Sequence, residues 1–353
     1  MAGENPLKII MLSSAIGTST GGLGSYVTNL KHALQRRGHD VTLLRPVERF
    51  SIGPFLRTLI YNAQCLRVLG STTPTIIHSH TYDGSLVPRT GAPFIATLHG
   101  VLADEVKYFS KFQDRAWARL LARLEALNCR RADRCTAVSE YSRRIAADMY
   151  NLNISDIEVV PACINLDVFE PAKRRPPSKT RRVLFVGRIY HRKGLQVLLR
   201  AMAILRDKEV SLWIVGTGPD QPRMKRIVRA LGLSEQVRFL DIVPLRELVH
   251  CYQTSDVVCI PSLQEGLSIV ALEAQACGTP VVGTRVGGLP EAVADRKLLA
   301  SPGDPYELSA ALAHVLYGRY GEGPQWRCRE FIEKNFSSWK VSEKMESIYR
   351  QVL

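Results

Sequence analysis

Two glutamates eight positions apart, Glu265 and Glu273, have the type and spacing to grip a polyhydroxylated ligand. They lie in the run Pro261-Ser262-Leu263-Gln264-Glu265-Gly266-Leu267-Ser268-Ile269-Val270-Ala271-Leu272-Glu273-Ala274-Gln275-Ala276-Cys277-Gly278-Thr279-Pro280. Its pattern predicts a strand ending at Pro261, a glycine-containing loop, a helix from about Ser268, and a stop at Gly278 and Pro280. Glu265 then sits in the loop and Glu273 about a turn and a half into the helix at ~1.5 Å rise per residue, so the two face different parts of one extended ligand. Each carboxylate can accept hydrogen bonds from two hydroxyls at once. The free amides of Leu267, Ser268 and Ile269 at the helix start suit a phosphate or sugar hydroxyl oxygens. The rest of this helix is nearly all apolar, so a solvated role for Glu273 fits poorly and a carboxylate there needs a partner.

The run Arg188-Ile189-Tyr190-His191-Arg192-Lys193 offers cations. Alone it reads equally well as a solvated basic loop. Arg188 follows a strand directly, however, and Lys193 lies just before the next helix, which puts both at the carboxyl edge where an α/β sheet binds ligands. An Arg fork and an ammonium there suit a negatively charged ligand. His99 ends the strand-like run 93–98 and is followed by Gly100. A lone histidine is more often structural, but one at a strand end in an α/β domain faces the cleft. His78 and His80 are read as alternating across one strand, so that at most one reaches the cleft, and neither is read as a metal ligand. Gly21-Gly22-Leu23-Gly24 opens the first helix, where glycine lets the backbone approach a phosphate or sugar closely. Neither it nor Gly216-Thr217-Gly218 completes a G-x-G-x-x-G fingerprint, and the second strand ends in Leu44-Arg45-Pro46 without an acidic residue. An NAD enzyme is therefore disfavoured.

Positioning such residues takes a layered scaffold. Short apolar runs alternate with helical periodicities throughout, as a doubly wound parallel sheet requires, since each strand needs a crossover to reach a parallel neighbour. One series predicts strands at 7–13, 40–46, 74–80, 93–98, 134–138 and 157–162, with helices near 23–37, 54–69, 111–130 and 140–150. A second predicts strands at 182–187, 210–215, 237–240, 256–261, 280–283 and 297–301, with helices near 194–206, 221–231, 245–254, 268–277 and 304–317. The prolines and charges of 171–180 suit a linker, giving domains 1–170 and 181–335. A final helix, 336–353, carries Trp339, Val341, Met345, Ile348, Tyr349 and Val352 at helical spacing and is expected to pack back on the N-terminal domain.

Composition agrees with two globular domains: 353 residues, 46% hydrophobic and 23% charged, exclude collagen-like and disordered classes. Forty-seven Lys+Arg against 33 Asp+Glu leave +14, which favours nucleotides, phosphorylated metabolites, polyanions or an anionic membrane as partners. Aromatic interleaving typical of single-strand binders is missing, so nucleic acid is discounted. The eight cysteines show no C-x-x-C or metal-finger spacing and read as reduced thiols. No apolar run approaches the ~18 residues of a spanning helix and no cleavable signal pattern opens the sequence, so a cytoplasmic protein is expected. The stretch 111–134 predicts a basic amphipathic helix, with Trp117, Leu120, Leu121, Leu124 and Leu127 on one stripe and Arg115, Arg119 and Arg123 on another. Core packing is the plain reading of the apolar stripe; docking on the inner face of an anionic cell membrane is the sharper one.

The E-x7-E spacing from Glu265 to Glu273, the Glu-Gly-Leu-Ser loop and the following Ala-Cys-Gly-Thr-Pro-Val-Val run resemble the signature of the retaining glycosyltransferases of family 4. The resemblance extends to Val186-Gly187-Arg188 with Lys193-Gly194, to Val215-Gly216-Thr217-Gly218-Pro219 and to Gly287-Gly288-Leu289-Pro290-Glu291. The N-terminal half matches more sparsely, at Gly21-Gly22 and Thr97-Leu98-His99-Gly100. It implies the GT-B fold, two Rossmann-like doubly wound α/β domains facing a central cleft. A UDP- or GDP-linked sugar donor would be held mainly by the second domain, with the acceptor in the cleft facing the first. By similarity, Glu273 takes the ribose hydroxyls, Glu265 the transferred sugar's hydroxyls, Arg188 and Lys193 the diphosphate, and His99 lies next to the donor sugar. Gly22, Gly187, Gly216, Gly218, Gly266, Leu267, Ser268 and Ile269 complete the implied donor site.

No cofactor beyond the substrate and no obligatory metal are expected, because the cations and a helix N-terminus can neutralise the diphosphate and no Asp-x-Asp motif is present. Front-face retention is favoured, since no carboxylate nucleophile stands out in the first domain. The acceptor is expected to be a carbohydrate, lipid-linked or small-molecule hydroxyl, a polysaccharide precursor included. The rivals are a nucleotide-sugar epimerase or glycan phosphorylase on the same fold, and a non-enzymatic basic module that binds membranes or polyanions.

Overall fold

The computed structural model describes residues 5–14, 22–46, 54–109, 112–173, 180–207, 209–318 and 324–353. Gly21, Lys111 and most of the expected linker, 174–179, lie outside the described residues. The chain divides into two compact units, Met1–Cys163 with Ser338–Leu353, and Ile164–Ser337.

The first unit runs β1 (Lys8–Leu12), α1 (Gly22–Arg36), β2 (Asp40–Leu44), α2 (Pro54–Gly70), β3 (Ile76–His80), β4 (Phe94–Leu98), α3 (Leu102–Glu105), α4 (Phe112–Arg131), β5 (Arg134–Ala137), α5 (Glu140–Tyr150) and β6 (Ile157–Val159). Its six strands pair in the order β2-β1-β3-β4-β5-β6, all parallel. Helices cover both faces of such a sheet, so its strands read as continuous apolar runs. The exception is β3, whose sequence IIHSH is buried at every position and so encloses two histidines and a serine.

The second unit contains β7 (Arg181–Val186), α6 (Leu195–Leu205), β8 (Val210–Val215), α7 (Gln221–Ala230), β9 (Val237–Asp241), α8 (Leu245–Thr254), β10 (Val257–Ile260), α9 (Ile269–Ala276), β11 (Val281–Thr284), α10 (Leu289–Ala292), β12 (Leu299–Ala300), α11 (Pro305–Tyr317) and α12 (Pro324–Phe336). The strand order is β12-β11-β10-β7-β8-β9, again parallel throughout. Val183, Phe185, Leu198, Leu212, Ile214 and Val257 anchor its core.

The last helix, α13 (Ser338–Gln351), belongs to the first unit and buries Val341, Met345, Ile348 and Tyr349 there. Glu346 accepts from Arg37 at 2.6 Å and from Arg350 at 2.7 Å, and the Tyr349 hydroxyl lies 2.7 Å from His78 Nδ1. Trp339 departs from the stripe: it is 63% exposed, with the Arg37 guanidinium 4.5 Å from its ring centre.

On α4 the expected apolar stripe is split. Leu121 is buried, Trp117 and Leu124 are half-buried, and Leu120 and Leu127 are exposed. The buried side of α4 instead carries Ala118, Leu121, Ala122, Glu125, Ala126, Asn128 and Cys129. All eight cysteines are buried and free. Among the described residues no helix is long and apolar enough to cross a membrane.

Candidate active site

Strand order reverses between β7 and β10 in the second unit, and in such sheets the crevice at the carboxyl ends of the strands flanking the reversal receives the ligand. The loops carrying Arg188–Lys193 and Gln264–Ser268 leave those two strands. They are pinned together: the Leu263 amide donates to the Arg192 carbonyl at 2.8 Å. Gly194 has φ +67°, and a Cβ on it would lie 1.8 Å from the Pro261 carbonyl oxygen, so only glycine lets the loops touch. Gly287, at φ +53°, supports Glu265 in the same way, its missing Cβ falling 1.8 Å from the Glu265 carbonyl oxygen. The Gly288 amide donates to that oxygen at 3.0 Å.

Held so, Glu265 is 6% exposed, and its Oε1 accepts from Lys193 Nζ at 2.6 Å and from Ser262 Oγ at 2.7 Å. Burial opposes its charge, but the Lys193 ammonium, with Arg192 and the Ser262 hydroxyl, outweighs it and holds the carboxyl below its ordinary range. Arg192 donates to the Gln264 side chain and, at 2.9 Å, to the Tyr190 hydroxyl. Arg188 stands apart from this cluster, exposed, with its guanidinium 5.8 Å from the centre of the Tyr190 ring. The structure therefore brings Lys193 to Glu265 and leaves Arg188 on the rim. Ser262, three residues before Glu265, went unweighed in the sequence because a serine at a strand end has many ordinary roles.

Glu273 does have a partner, supplied not by its own apolar helix but by the neighbouring α8, which only the fold reveals. Tyr252 of α8, fully buried, donates its hydroxyl to Glu273 Oε2 at 2.7 Å. Burial pushes the Glu273 carboxyl up to about 7, and the tyrosine hydrogen bond restrains the rise. Ser268 caps α9, its Oγ accepting from the Ala271 amide at 3.4 Å. Among the described residues no acceptor is found for the amides of Leu267, Ser268 and Ile269, which remain available to a ligand. Gly266 is buried in the loop before them. Gly187, Gly216 and Gly218 bring the β8 loop against the β7 loop; a Cβ on Gly216 would lie 2.1 Å from the Gly187 oxygen, and one on Gly218 2.2 Å from the Ile189 oxygen. Beside them an open depression of about 790 Å³ is lined by Thr217, Gly218, Gln221, Lys225 and Asp241.

A pH dependence follows if Glu273 accepts ribose hydroxyls. Its folded carboxyl is raised, so below pH ~7 it is protonated and offers fewer acceptor sites, and binding releases a proton. Nucleoside diphosphate affinity is expected to climb from pH 6 to 8, by up to about tenfold per unit below the midpoint. Tyr252→Phe should move that midpoint upward. Calorimetry across this range measures both, and a flat profile removes Glu273 from the binding site.

In the first unit His99 lies just after β4, half-buried, with Nε2 2.9 Å from His80 Nδ1 and the Tyr26 ring edge-on at 4.4 Å. Burial, then His78, lower its pKa to about 3. The reading of His78 and His80 as alternating is corrected here: residues two apart in a strand share a face, and their ring centres are 4.3 Å apart. His78 is spent on structure, held between the Tyr349 hydroxyl and Thr97 Oγ1 at 2.6 Å. Gly22 is the first residue of α1 and exposed. Tyr26, whose ring packs on His99, went unweighed in the sequence, and His80, weighed only as an alternative to His78, lies against His99 as well. Among the described residues no group of three His, Cys, Asp or Glu could hold a metal ion.

Residues 169–334 match the family of glycosyl transferases group 1, and residues 20–168 match glycosyltransferase family 4. A D-inositol 3-phosphate glycosyltransferase of Corynebacterium jeikeium is 31% identical over 351 residues, covering 84% of this chain and 83% of the relative. A protein of the same name from Corynebacterium diphtheriae is 36% identical over 220 residues, 57% of this chain but only about half, 52%, of the relative. Among solved structures, sucrose-phosphate synthase from Thermosynechococcus elongatus superposes with a TM-score of 0.84 at 23% identity, over 97% of this chain and 98% of that one. That likeness gives the GT-B architecture of two Rossmann-like domains, and the family excludes the non-enzymatic reading. The chain belongs to the group 1, family 4 glycosyltransferases and is a glycosyltransferase.

Proposed function

We propose that the protein moves a sugar from a UDP- or GDP-linked donor to an acceptor hydroxyl and keeps the anomeric configuration. The observation that carries this reading is the Lys193–Glu265–Ser262 cluster, with contacts of 2.6 and 2.7 Å, set beside open amides at the start of α9 where the strand order reverses. In this reading the ionised Glu265 accepts hydroxyls of the sugar being transferred, and Glu273 accepts those of the ribose. Lys193, Arg188 and the α9 amides stabilise the diphosphate as it gains charge, so no metal is required. Retention by front-face attack needs only a leaving phosphate poised to take the proton of the incoming hydroxyl. His99 is assigned, by the family resemblance, to the place next to the donor sugar.

The test is titration of UDP, GDP and ADP at moderate salt, followed by turnover of the matching sugar conjugates with the product anomer read by proton coupling. Selective binding and a retained anomer are expected; base-indifferent, salt-labile binding or an inverted product overturns the reading. His99→Ala should impair transfer and leave nucleoside diphosphate affinity nearly intact, and equal loss of both would make it a structural histidine.

The acceptor class has two arms. The relatives' name makes D-inositol 3-phosphate the first to assay. A lipid-linked acceptor is favoured by the outer side of α4, where Phe112 is 79% exposed and Leu120 and Leu127 lie among Arg115, Arg119, Arg123 and Arg130. Apolar tips amid arginines suit an anionic bilayer. Cosedimentation with anionic vesicles but not neutral ones supports it; failure to sediment with either rules that arm out.

A further inference from the structure

Three neutral aromatic groups of the first unit, Tyr26, His80 and His99, meet at the carboxyl ends of β3 and β4, and two of their polar atoms are left over. His80 is fully buried, and its Nε2 has no partner; neither has the hydroxyl of the equally buried Tyr26. The one hydrogen bond His80 makes through its ring is the 2.9 Å contact from Nδ1 to His99 Nε2. Burial drives both imidazoles far toward the neutral form, so this contact holds a single proton, and its owner fixes both tautomers.

If the proton sat on His99 Nε2, His80 Nδ1 would accept it and His80 would carry its own hydrogen on Nε2. That would bury an N–H donor with nothing to receive it, the rarer and costlier kind of orphan. If His80 Nδ1 donates instead, the orphan is a bare lone pair. His99 Nε2 then accepts, and its own hydrogen must sit on Nδ1. His99 is half-buried, and no partner is found for Nδ1 among the described residues.

We propose that His80 is a positioning residue that locks His99 as the Nδ1–H tautomer, so that His99 presents a hydrogen-bond donor to an oxygen of the transferred sugar. Tyr26, packed edge-on against the His99 ring, prevents the ring from turning to exchange its nitrogens. The proposal rests on the reading that His99 contacts the donor sugar, and deepens it by stating which nitrogen does so and why.

The experiment uses the full chain with ¹⁵N-labelled histidine. In the wild type the His99 Nδ1 resonance is expected in the protonated, pyrrole-type range and Nε2 in the pyridine-type range. His80→Leu, similar in volume, should scramble or reverse this pattern and lower kcat roughly ten- to hundredfold, with nucleoside diphosphate Kd unchanged. His80→Asn, whose amide can place a donor near the lost Nδ1, should recover part of the rate and the original resonance pattern, and thermal unfolding checks that each variant folds. An Nε2–H His99 in the wild type overturns the proposal, as does a His80→Leu variant with unchanged His99 resonances. If the resonances behave as expected while His99→Ala transfers sugar normally, the tautomer lock stands and the sugar contact is lost.

Discussion

Lys193→Ala is expected to lower kcat by about 10²-fold or more, with a much smaller effect on nucleoside diphosphate affinity. A preorganised cation aimed at a leaving group counts for most when that group carries most charge, which is in the transition state. The variant also does something the lysine's own role does not predict. Glu265 loses the ammonium 2.6 Å away, the chief charge that holds it ionised, and keeps only the Ser262 hydroxyl and the Arg192 charge to offset its burial. Removing one partner of such a pair costs about 3–5 kcal/mol, the more so the drier the site. The two effects separate in a Lys193→Ala/Glu265→Gln double variant, where thermal stability should recover and the rate should not. A wild-type rate in Lys193→Ala takes the lysine out of the chemistry.

Gly287→Ala should be nearly as damaging, without touching any charged group. The backbone at φ +53° costs an L-residue about 1–2 kcal/mol, and the new methyl would sit 1.8 Å from the Glu265 carbonyl oxygen. Relieving that overlap displaces the loop, at about 1–3 kcal/mol more. The expected result is a melting temperature lower by roughly 5–15 °C and a rate at least ~10²-fold lower, because the Glu265 carboxylate moves off its position. Gly303→Ala is the control: φ is +81° there, but nothing lies within 4 Å of the added Cβ, so the backbone cost stands alone. If both variants behave alike, the Gly287 contact does not position Glu265.

The alternation of apolar runs was enough to read both sheets and nearly every element boundary, because parallel strands covered on both faces leave unbroken Val/Ile/Leu runs. The E-x7-E loop and helix were legible for a different reason: glycines, a capping serine and a carboxylate on an apolar helix each obey a local rule. What escaped was non-local. Tyr252 precedes Glu273 by a whole strand and loop, and nothing in its own surroundings marks it as the residue that bonds that carboxylate. His80 was misjudged through the strand period itself, since residues two apart point the same way. Arg188 and Lys193 were placed at the sheet's carboxyl edge by strand end and helix start; which of them meets Glu265 was not legible, and it is Lys193, with Arg188 exposed beside the Tyr190 ring.

The return of α13 to the first unit bears on how the molecule is made. Tyr349 closes over His78, and Glu346 neutralises Arg37, so the helix in residues 338–353 completes a unit whose strands all lie before Cys163. During synthesis that earlier stretch must wait, unfinished, while the whole of Ile164–Ser337 emerges and folds. Because α13 is made last, the first unit can be completed only after the second has been synthesised.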